Sequence, residues 1–257
     1  MLRGLRMRTR YLIGIVAAAL VTVTYFSLQS SELLVPVTDY VTVLASGICA
    51  ILAFLATRRW GIRGKFGIVH LGLFLGISLW FLGDTAWAIY ENVLQIPIPY
   101  PSLADVFYLA GYIPIAIVIT QFLRSFGAGL KKQSVIIALA IGLLFLGLTY
   151  SLLIGPILVS TEDFLTKSYD VAYPVLDSIL AVLAIFVFFV FRGGKIANAW
   201  FWLSLGLLLN ALADIAFSLG SLQGWYYSGH PVELIQLWGY ICLALGLEEQ
   251  RGGPSVS

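Results

Sequence analysis

The sequence is poor in charge. Only 11% of its 257 residues are charged, 60% are hydrophobic, and the mean hydropathy is +0.95. Soluble domains carry about 25% charged residues. The composition therefore excludes a soluble globular domain and predicts an integral membrane protein, whose first partner is the lipid bilayer. The net charge of +2 comes without a basic array, so we expect no nucleic-acid partner.

Cysteine and histidine are also scarce. Cys49 and Cys242 lie in separate apolar runs, so they are predicted to be small buried residues rather than a disulfide framework. His70 and His230 are predicted at opposite membrane faces, which excludes a two-histidine zinc or haem site. The sequence contains no GxGxxG or P-loop pattern and no lysine in the core of an apolar run. We therefore predict a protein that is not an enzyme and has no cofactor.

Long apolar runs fill the chain instead. A membrane-spanning helix needs about 20 apolar residues. Eight runs approach this length, at residues 11–27, 40–57, 68–90, 105–123, 134–153, 172–191, 199–220 and 232–247. The first resembles a signal peptide but lacks a convincing cleavage site, so it is predicted to be retained. The fold class predicted is an all-α integral membrane protein with eight transmembrane helices, and residues 1–257 form one membrane domain.

The charges between these runs are segregated. Of the 15 Lys and Arg residues, 14 fall in segments that can share one side of the membrane, and Lys167 is the exception. Of the 13 Asp and Glu residues, 11 fall toward the other side. Cationic loops remain cytoplasmic. We therefore predict a multi-pass protein of the cell membrane with cytoplasmic N- and C-termini and an acidic outer layer.

An internal repeat joins two halves, about 11–123 and 134–247. The matches of the first span are Leu75-Gly76, Leu79, Leu82, Asp84 and Ala86 with Leu205-Gly206, Leu209, Leu212, Asp214 and Ala216. Those of the next span are Asp105, Leu109, Gly111-Tyr112-Ile113 and Ala116 with Glu233, Leu237, Gly239-Tyr240-Ile241 and Ala244. An even number of spans per half gives both halves the same orientation. The sequence predicts two parallel four-helix repeats.

Asp84 and Asp214 are the most informative pair of acids. Each lies about six residues, or roughly 9 Å, below the outer end of its span. Trp80 and Trp87 share a helical face with Asp84, and Asn210 shares the equivalent face with Asp214. A carboxylate in hydrocarbon needs a partner or a function. Two interpretations remain open: an outward-facing, aromatic-lined acidic cavity, or acids that accept hydrogen bonds and only hold the bundle together.

Two further acids coincide with predicted helix starts. Ser102 fits an N-cap with Asp105 as its capping-box partner. His230 and Glu233 flank Pro231 in a comparable start. For Asp105 and Glu233 we favour helix capping over ligand binding.

A third outer helix start is predicted at Tyr173-Pro174, next to Asp170. Asp177 lies a full turn or more inside that span, so capping does not explain it, and we assign it with Tyr173 to the cavity. The outer carboxylates could also hold a hard cation such as Ca²⁺, although their spacing does not require one. The aromatic residues crowded at the outer rim fit a membrane-interface belt, and they favour a lipophilic or cationic ligand over a phosphate.

Five short motifs carry a resemblance to a known family. They are Trp80-x-x-Gly83-Asp84, Pro101-Ser102-x-Ala104-Asp105-x-x-Tyr108-Leu109-x-Gly111-Tyr112, Ala172-Tyr173-Pro174-x-x-Asp177, Ala213-Asp214 and Gly239-Tyr240, in this order. Together they resemble the N-terminal multispan membrane region of certain bacterial and archaeal signalling proteins. In those proteins the region precedes diguanylate cyclase/phosphodiesterase (GGDEF/EAL) or histidine-kinase output domains. The resemblance covers about residues 68–247, and its Pro-Ser-x-Ala-Asp block is the most specific part.

The resemblance implies a membrane-embedded sensory module. Glu233 departs from it, because Asp is expected there. About ten residues follow the last span, so no output domain is expected in this chain, and a separate signalling protein would be the partner. We therefore predict a sensory or ligand-binding protein for a small cationic or lipophilic molecule. The alternatives are a cation-coupled transporter of a small solute and an accessory structural subunit of a membrane complex.

Overall fold

The computed structural model describes residues 2–126, 131–190 and 197–252, and every regular element in these ranges is helical. The helices are α1 (Leu2–Ser27), α2 (Leu34–Trp60), α3 (Gly64–Ala88), α4 (Leu103–Phe126), α5 (Lys132–Thr149), α6 (Gly155–Val159), α7 (Phe164–Val190), α8 (Ala197–Gln223) and α9 (Glu233–Gly252). The all-α prediction is confirmed.

Two π-helical turns within the described ranges extend the helices. Ile89–Val93 continues α3, and Tyr150–Ile154 joins α5 to α6, so that α5 and α6 form one continuous rod. Turns of this kind occur frequently beside functional sites. Both lie next to the cavity described below, which Trp87 and Ile157 help to line.

Seven helices in the described ranges are long and apolar enough to cross a membrane. They are α1 to α4, the α5–α6 rod, α7 and α8. The composition of α9 differs, because it carries charged residues at both ends: Glu233, Glu248, Glu249 and Arg251. Even so, α9 packs against α1, α2 and α8.

Contacts between α1 and α9 define the two ends of the bundle. Arg10 Nη2 lies 3.3 Å from Glu248 Oε1, and the Tyr11 hydroxyl donates a hydrogen bond to Glu249 Oε1 at 2.5 Å. At the opposite end, Tyr25 donates to the His230 carbonyl at 2.6 Å. The N-terminal part of α1 and the C-terminal part of α9 therefore lie at the same end of the bundle, called here the terminal end. The other, the loop end, carries residues 28–33, 94–102, 160–163 and 224–232. The predicted cytoplasmic cations Arg192 and Lys195 are outside the described residues.

Glycines allow two helix pairs to approach closely. A Cβ atom at Gly76 of α3 would lie 2.8 Å from the Gly111 carbonyl oxygen of α4. A Cβ atom at Gly206 of α8 would lie 2.8 Å from the Gly239 carbonyl oxygen of α9. Small residues at such crossings are typical of membrane helix pairs. The four glycines belong to the motifs of the predicted repeat, in which Gly76 corresponds to Gly206 and Gly111 to Gly239.

An apolar core fills the bundle toward the terminal end. Its fully buried members include Leu73, Ile77, Ile115, Leu203, Leu243 and Leu247. Large apolar side chains also cover the outside of the bundle, among them Leu12, Ile15, Leu44, Ile113, Ile117, Leu143 and Leu144. An exposed apolar surface of this extent fits a lipid environment.

The helix start predicted at Tyr173-Pro174 is wrong. Helix α7 begins at Phe164, and Pro174 lies inside it. The exposed Asp163 provides the start instead, because its carboxylate accepts hydrogen bonds from the backbone N–H groups of Leu165 (2.9 Å) and Thr166 (3.1 Å). Hydrogen bonds from Thr166 lower the pKa of Asp163.

Candidate functional site

A cavity of about 430 Å³ opens between α2, α3, α4, α7, α8 and α9 in the loop-end half of the bundle. It extends from the buried side chains of Trp80 and Asn210 to the loop residues Ile98, Tyr100 and Glu162. This volume is within the range of small-molecule sites.

The cavity walls are acidic. Seven of the residues that line it are acids: Asp39, Asp84, Asp105, Glu162, Asp170, Asp214 and Glu233. No Lys, Arg or His is among the described residues that line it. A concave surface of one charge sign concentrates ions of the opposite sign. When these acids are ionised, they favour cations over anions in the cavity.

The walls are also aromatic. Nine lining residues have rings: Trp80, Trp87, Tyr100, Tyr108, Tyr112, Tyr173, Phe217, Tyr226 and Tyr240. Trp87 meets Phe217 edge to face across the two predicted halves, with ring centroids 6.1 Å apart. Aromatic faces attract cations, and this attraction is strongest when the cation is desolvated.

Asp84 is buried and accepts one hydrogen bond on each carboxylate oxygen. The Tyr108 hydroxyl donates to Oδ1 at 2.9 Å, and the Tyr240 hydroxyl donates to Oδ2 at 2.8 Å. The side chain is 4% exposed. Both oxygens of this buried carboxylate therefore have a hydrogen-bond donor.

Asp214 has a different environment. Its Oδ2 lies 3.1 Å from the Tyr112 hydroxyl oxygen, and the same hydroxyl hydrogen-bonds Asp177 Oδ1. Asp177 is fully buried and does not itself line the cavity. It stands behind Tyr112, so its predicted place in the cavity wall is corrected to a position one side chain deeper. The two acids are connected through a single phenol.

Two tyrosines connect the predicted halves reciprocally. Tyr112 of α4 contacts Asp214 of α8, and Tyr240 of α9 contacts Asp84 of α3. Each tyrosine follows the glycine of a repeated Gly-Tyr pair. Each predicted half therefore supplies a hydroxyl to the acid of the other half.

Asp105 combines capping with a contact inside the cavity. Its Oδ2 accepts hydrogen bonds from the Ser102 backbone N–H (2.6 Å) and the Ser102 hydroxyl (2.7 Å), as a capping-box acid does for its N-cap residue. Its Oδ1 accepts a hydrogen bond from the Tyr173 hydroxyl of α7 at 2.8 Å. Asp105 thus fixes the start of α4 and joins α4 to α7.

Glu233 has a similar double role at the start of α9. Its carboxylate accepts hydrogen bonds from the Gly229 backbone N–H and the Tyr226 hydroxyl, both at 2.8 Å. Its Oε2 also lies 3.1 Å from the Tyr25 hydroxyl oxygen, whose hydrogen points to the closer His230 carbonyl. His230 Nδ1 accepts a hydrogen bond from the Val232 backbone N–H at 3.2 Å. Burial and the nearby Glu233 carboxylate raise the pKa of Tyr226, so its hydroxyl remains a donor.

The mouth of the cavity carries further acid contacts. Asn92 donates to Asp39 at 2.5 Å, and Trp87 Nε1 donates to Glu91 at 3.0 Å. The Tyr100 hydroxyl donates to Asp170. Burial, followed by this contact, raises the pKa of Tyr100, so that tyrosine also keeps its proton.

Most of the predicted site residues therefore lie together around this cavity. Lining the cavity are Trp80, Asp84, Trp87, Tyr173, Asn210 and Asp214, together with the capping acids Asp105 and Glu233. Ser102 and His230 are not among the lining residues. Sequence reasoning missed Tyr108, Tyr112 and Tyr240 as site residues, although the Gly-Tyr pairs of the repeat marked two of them. It also missed Asp39 and Asp170, which occur singly near helix starts.

The lining acids do not converge on a metal position. Among the described residues, no group of three or more His, Cys, Asp or Glu side chains could hold a metal ion. The acids are distributed around the walls of the cavity.

Comparisons with protein-family models, with curated protein sequences and with solved structures find no match to this chain.

Proposed function

We propose that this protein is a membrane-embedded sensory protein whose loop-end cavity binds a small organic cation. The single observation that carries the proposal is the cavity lining, with seven acids, nine aromatic rings and no basic side chain among its described residues. Acids alone would suit a hydrated metal ion, and rings alone would suit a neutral lipophile. Their combination favours a cation with an apolar body, such as a quaternary or primary ammonium. The protein binds this ligand without transforming it.

The architecture proposed for this function has eight spans in two parallel four-helix halves. The equivalent glycine crossings and the reciprocal Tyr112–Asp214 and Tyr240–Asp84 contacts support it. Helix α9 is the eighth span, and neighbouring helices cover it. Its end charges lie at Glu233 beside the cavity and at 248–251 at the terminal end. Its interior from 234 to 247 is uncharged.

The terminal end is proposed to be cytoplasmic. Helix ends or loops of that end carry Arg58, Arg59, Arg63 and Arg124, and Arg10 pairs there with Glu248. Cationic segments resist translocation. The cavity then opens away from the cytoplasm. Its ligand would come from outside the cell or from the outer leaflet.

In the proposed signalling mechanism, the ligand acts on the hydrogen bonds that join the two predicted halves across the cavity. A cation beside Asp84 or Asp214 competes with a tyrosine of the opposite half for the same carboxylate. A ligand shifts a conformational equilibrium only by its differential affinity for the two states. Competition for these cross-half hydrogen bonds supplies such a difference. A signalling domain or protein at the terminal end would receive the change.

A transporter is less well supported. A transported solute needs a polar path to both ends of the bundle. Asn210 is the deepest polar residue of the cavity wall, and its amide donates to the Gly206 carbonyl at 2.8 Å. Toward the terminal end, one and two turns further along α8, Leu207 and Leu203 join the apolar core. Nothing in the described residues specifically favours a structural subunit.

The binding test uses benzyltrimethylammonium and its neutral isostere, neopentylbenzene, with the purified protein in detergent. The cation should bind saturably, and at least about tenfold more tightly than the isostere. Asp84→Asn should weaken binding of the cation and leave binding of the isostere unchanged. Glu32→Gln is the matched control, because Glu32 is an exposed acid of the loop end outside the cavity lining. Equal binding of both probes would indicate a lipophile site, and binding of neither would refute the proposal.

A further inference from the structure

The Tyr112 phenol lies between two carboxylates, the fully buried Asp177 and the half-buried Asp214, and the number of hydrogens that these three groups share is unusual. The Tyr112 hydroxyl oxygen lies within hydrogen-bonding distance of Asp177 Oδ1 and of Asp214 Oδ2. A phenol carries one hydrogen and can donate it to only one of them. An ionised carboxylate only accepts hydrogen bonds. The second contact is therefore a hydrogen bond only if one of the two acids is protonated and donates to the phenol oxygen.

The surroundings of Asp177 and Asp214 also favour one protonated carboxyl group in the pair. Asp177 is fully buried, and its Oδ2 has no hydrogen-bond partner among the described residues. The titratable groups facing the pair are Tyr112 from α4, Tyr173 from α7 itself, Asp84 from α3 and Tyr240 from α9. None of these supplies a positive charge. Two adjacent carboxylates, one of them fully buried, are disfavoured as a pair of anions when no cation lies beside them.

Helix α5 brings no positive charge close to the two acids. It packs against α7, with Gly142 close to Val182. Its one charged residue, Lys132, begins the helix ten residues closer to the terminal end than Gly142. That separation is about 15 Å along the helix. Lys167, on α7 itself, lies ten residues from Asp177 toward the loop end.

Asp84 provides the contrast within the same cavity. Each of its oxygens accepts a hydrogen bond from its own phenol, so the geometry is complete with an ionised Asp84. Asp84 and Asp214 are related by the predicted repeat. Their hydrogen-bond partners nevertheless differ. Asp84 has a phenol donor for each oxygen, whereas Asp214 shares the one Tyr112 hydrogen with Asp177.

We propose that Asp177, Asp214 and Tyr112 hold one exchangeable proton, and that binding of a cation in the cavity releases it. The proposal rests on the cation-binding function proposed above. Asp214 lines the cavity, while Asp177 lies behind Tyr112. A monovalent cation beside Asp214 stabilises the doubly ionised pair. The carboxyl O–H bond then breaks, and the proton leaves through the cavity, so one positive charge replaces another. The receptor is thereby sensitive to external pH as well as to its ligand.

The first test needs no ligand. Infrared spectra of the purified protein at pH 7 should contain the C=O stretch of a protonated carboxyl group. Asp177→Asn should remove this band, because Asp214 alone can ionise against the Tyr112 donor. Asp214→Asn is an independent second variant with the same expected loss. Asp84→Asn is the matched control and should leave the band unchanged. Absence of the band from the parent protein, or its persistence in both variants, would overturn the proposal.

The second test measures the linkage directly with benzyltrimethylammonium. In weakly buffered solution, binding should release about one proton per cation. Between pH 5 and 7 the affinity should rise about 100-fold, because a one-proton exchange changes affinity tenfold per pH unit. Asp177→Asn should bind without proton release. Cation binding that releases no proton and does not vary with pH would refute the exchange and leave the cation site intact. Failure of any cation to bind would refute the proposed function, while the infrared result would still decide whether the proton is present.

Discussion

Tyr240 donates a 2.8 Å hydrogen bond to Asp84, although 156 residues separate the two in the chain. The contact joins the last helix, α9, to α3. Tyr112 makes the corresponding contact from α4 to Asp214 of α8. The cavity between these contacts is therefore bounded by hydrogen bonds that connect one predicted half to the other. A ligand that enters it meets the groups that hold the halves together.

The first prediction concerns these tyrosines. Tyr240→Phe removes one donor from the buried Asp84 and keeps the ring. Interhelical hydrogen bonds in membrane proteins average about 0.6 kcal/mol and reach about 1.7 kcal/mol. We expect a loss of about 1 kcal/mol in the free energy of unfolding, measured in detergent.

The control is Tyr40→Phe, because Tyr40 is exposed on the outside of the bundle and its hydroxyl should contribute little. A double-mutant cycle of Tyr240→Phe with Asp84→Asn isolates the pair. A coupling energy of zero would contradict the structural importance given to this contact.

The second prediction concerns the helix crossings. Gly206→Ala places a Cβ atom 2.8 Å from the Gly239 carbonyl oxygen, a backbone atom that cannot move independently of its helix. Overpacking of this kind costs about 1–3 kcal/mol. We expect a corresponding decrease in stability and a lower melting temperature.

Gly147→Ala is the matched control, because Gly147 also lies within a long apolar helix but has no atom within 4 Å of the added Cβ. Alanine is the better helix former there by about 1 kcal/mol. The control should therefore be neutral or stabilising. Similar losses in both variants would show that the α8–α9 crossing is not specifically tight.

Sequence reasoning located the acids because they interrupt apolar runs. A charge in hydrocarbon is conspicuous, and the repeat marked Asp84 and Asp214 as equivalent. It did not identify Tyr112 and Tyr240 as their partners. A tyrosine in an apolar helix fits equally well in the core, at the membrane interface or in a site, and only the packing of α4 and α9 determines which.

Helix ends were predicted less well for a similar reason. The Tyr173-Pro174 pair predicts a helix start that the structure does not have, because Pro174 lies inside α7. The cap at Asp163, eleven residues earlier, determines the actual start. The sequence likewise does not predict how deep Asp177 lies in the bundle. Its spacing places it within the helix, but only the position of Tyr112 decides that it lies behind the cavity wall.

The third prediction concerns topology. Reporter fusions at Ser257 should be cytoplasmic, and insertions near Glu162 should be external, because the 14 cations of one face resist translocation. Reporters that fold only in the cytoplasm, paired with reporters that are active only outside it, distinguish the two sides. An external C-terminus would reverse the membrane orientation of the cavity and remove the proposal of an external ligand.

The last prediction separates binding from architecture at the acids. Asp84→Asn keeps the shape of the side chain, and a neighbouring tyrosine oxygen can accept from the new amide. We therefore expect folding to survive with a modest loss of stability, since one interhelical hydrogen bond averages only about 0.6 kcal/mol. Cation binding should fall sharply, because the amide carries no charge. Asp214→Asn should behave in the same way for stability and binding.

Asp105→Asn is the comparison within the cavity. Asparagine can still accept from Ser102 through one oxygen, so the start of α4 should remain intact. If Asp84 and Asp214 only join helices, all three variants should retain whatever cation binding the parent protein has. If Asp84 and Asp214 neutralise a ligand, their Asn variants should lose more cation affinity than Asp105→Asn does at equal stability. The reason is that both acids lie deeper in the cavity than the helix start at Ser102. Equal retention in all three variants would make the acidic layer a scaffold, and the sensory proposal would be wrong.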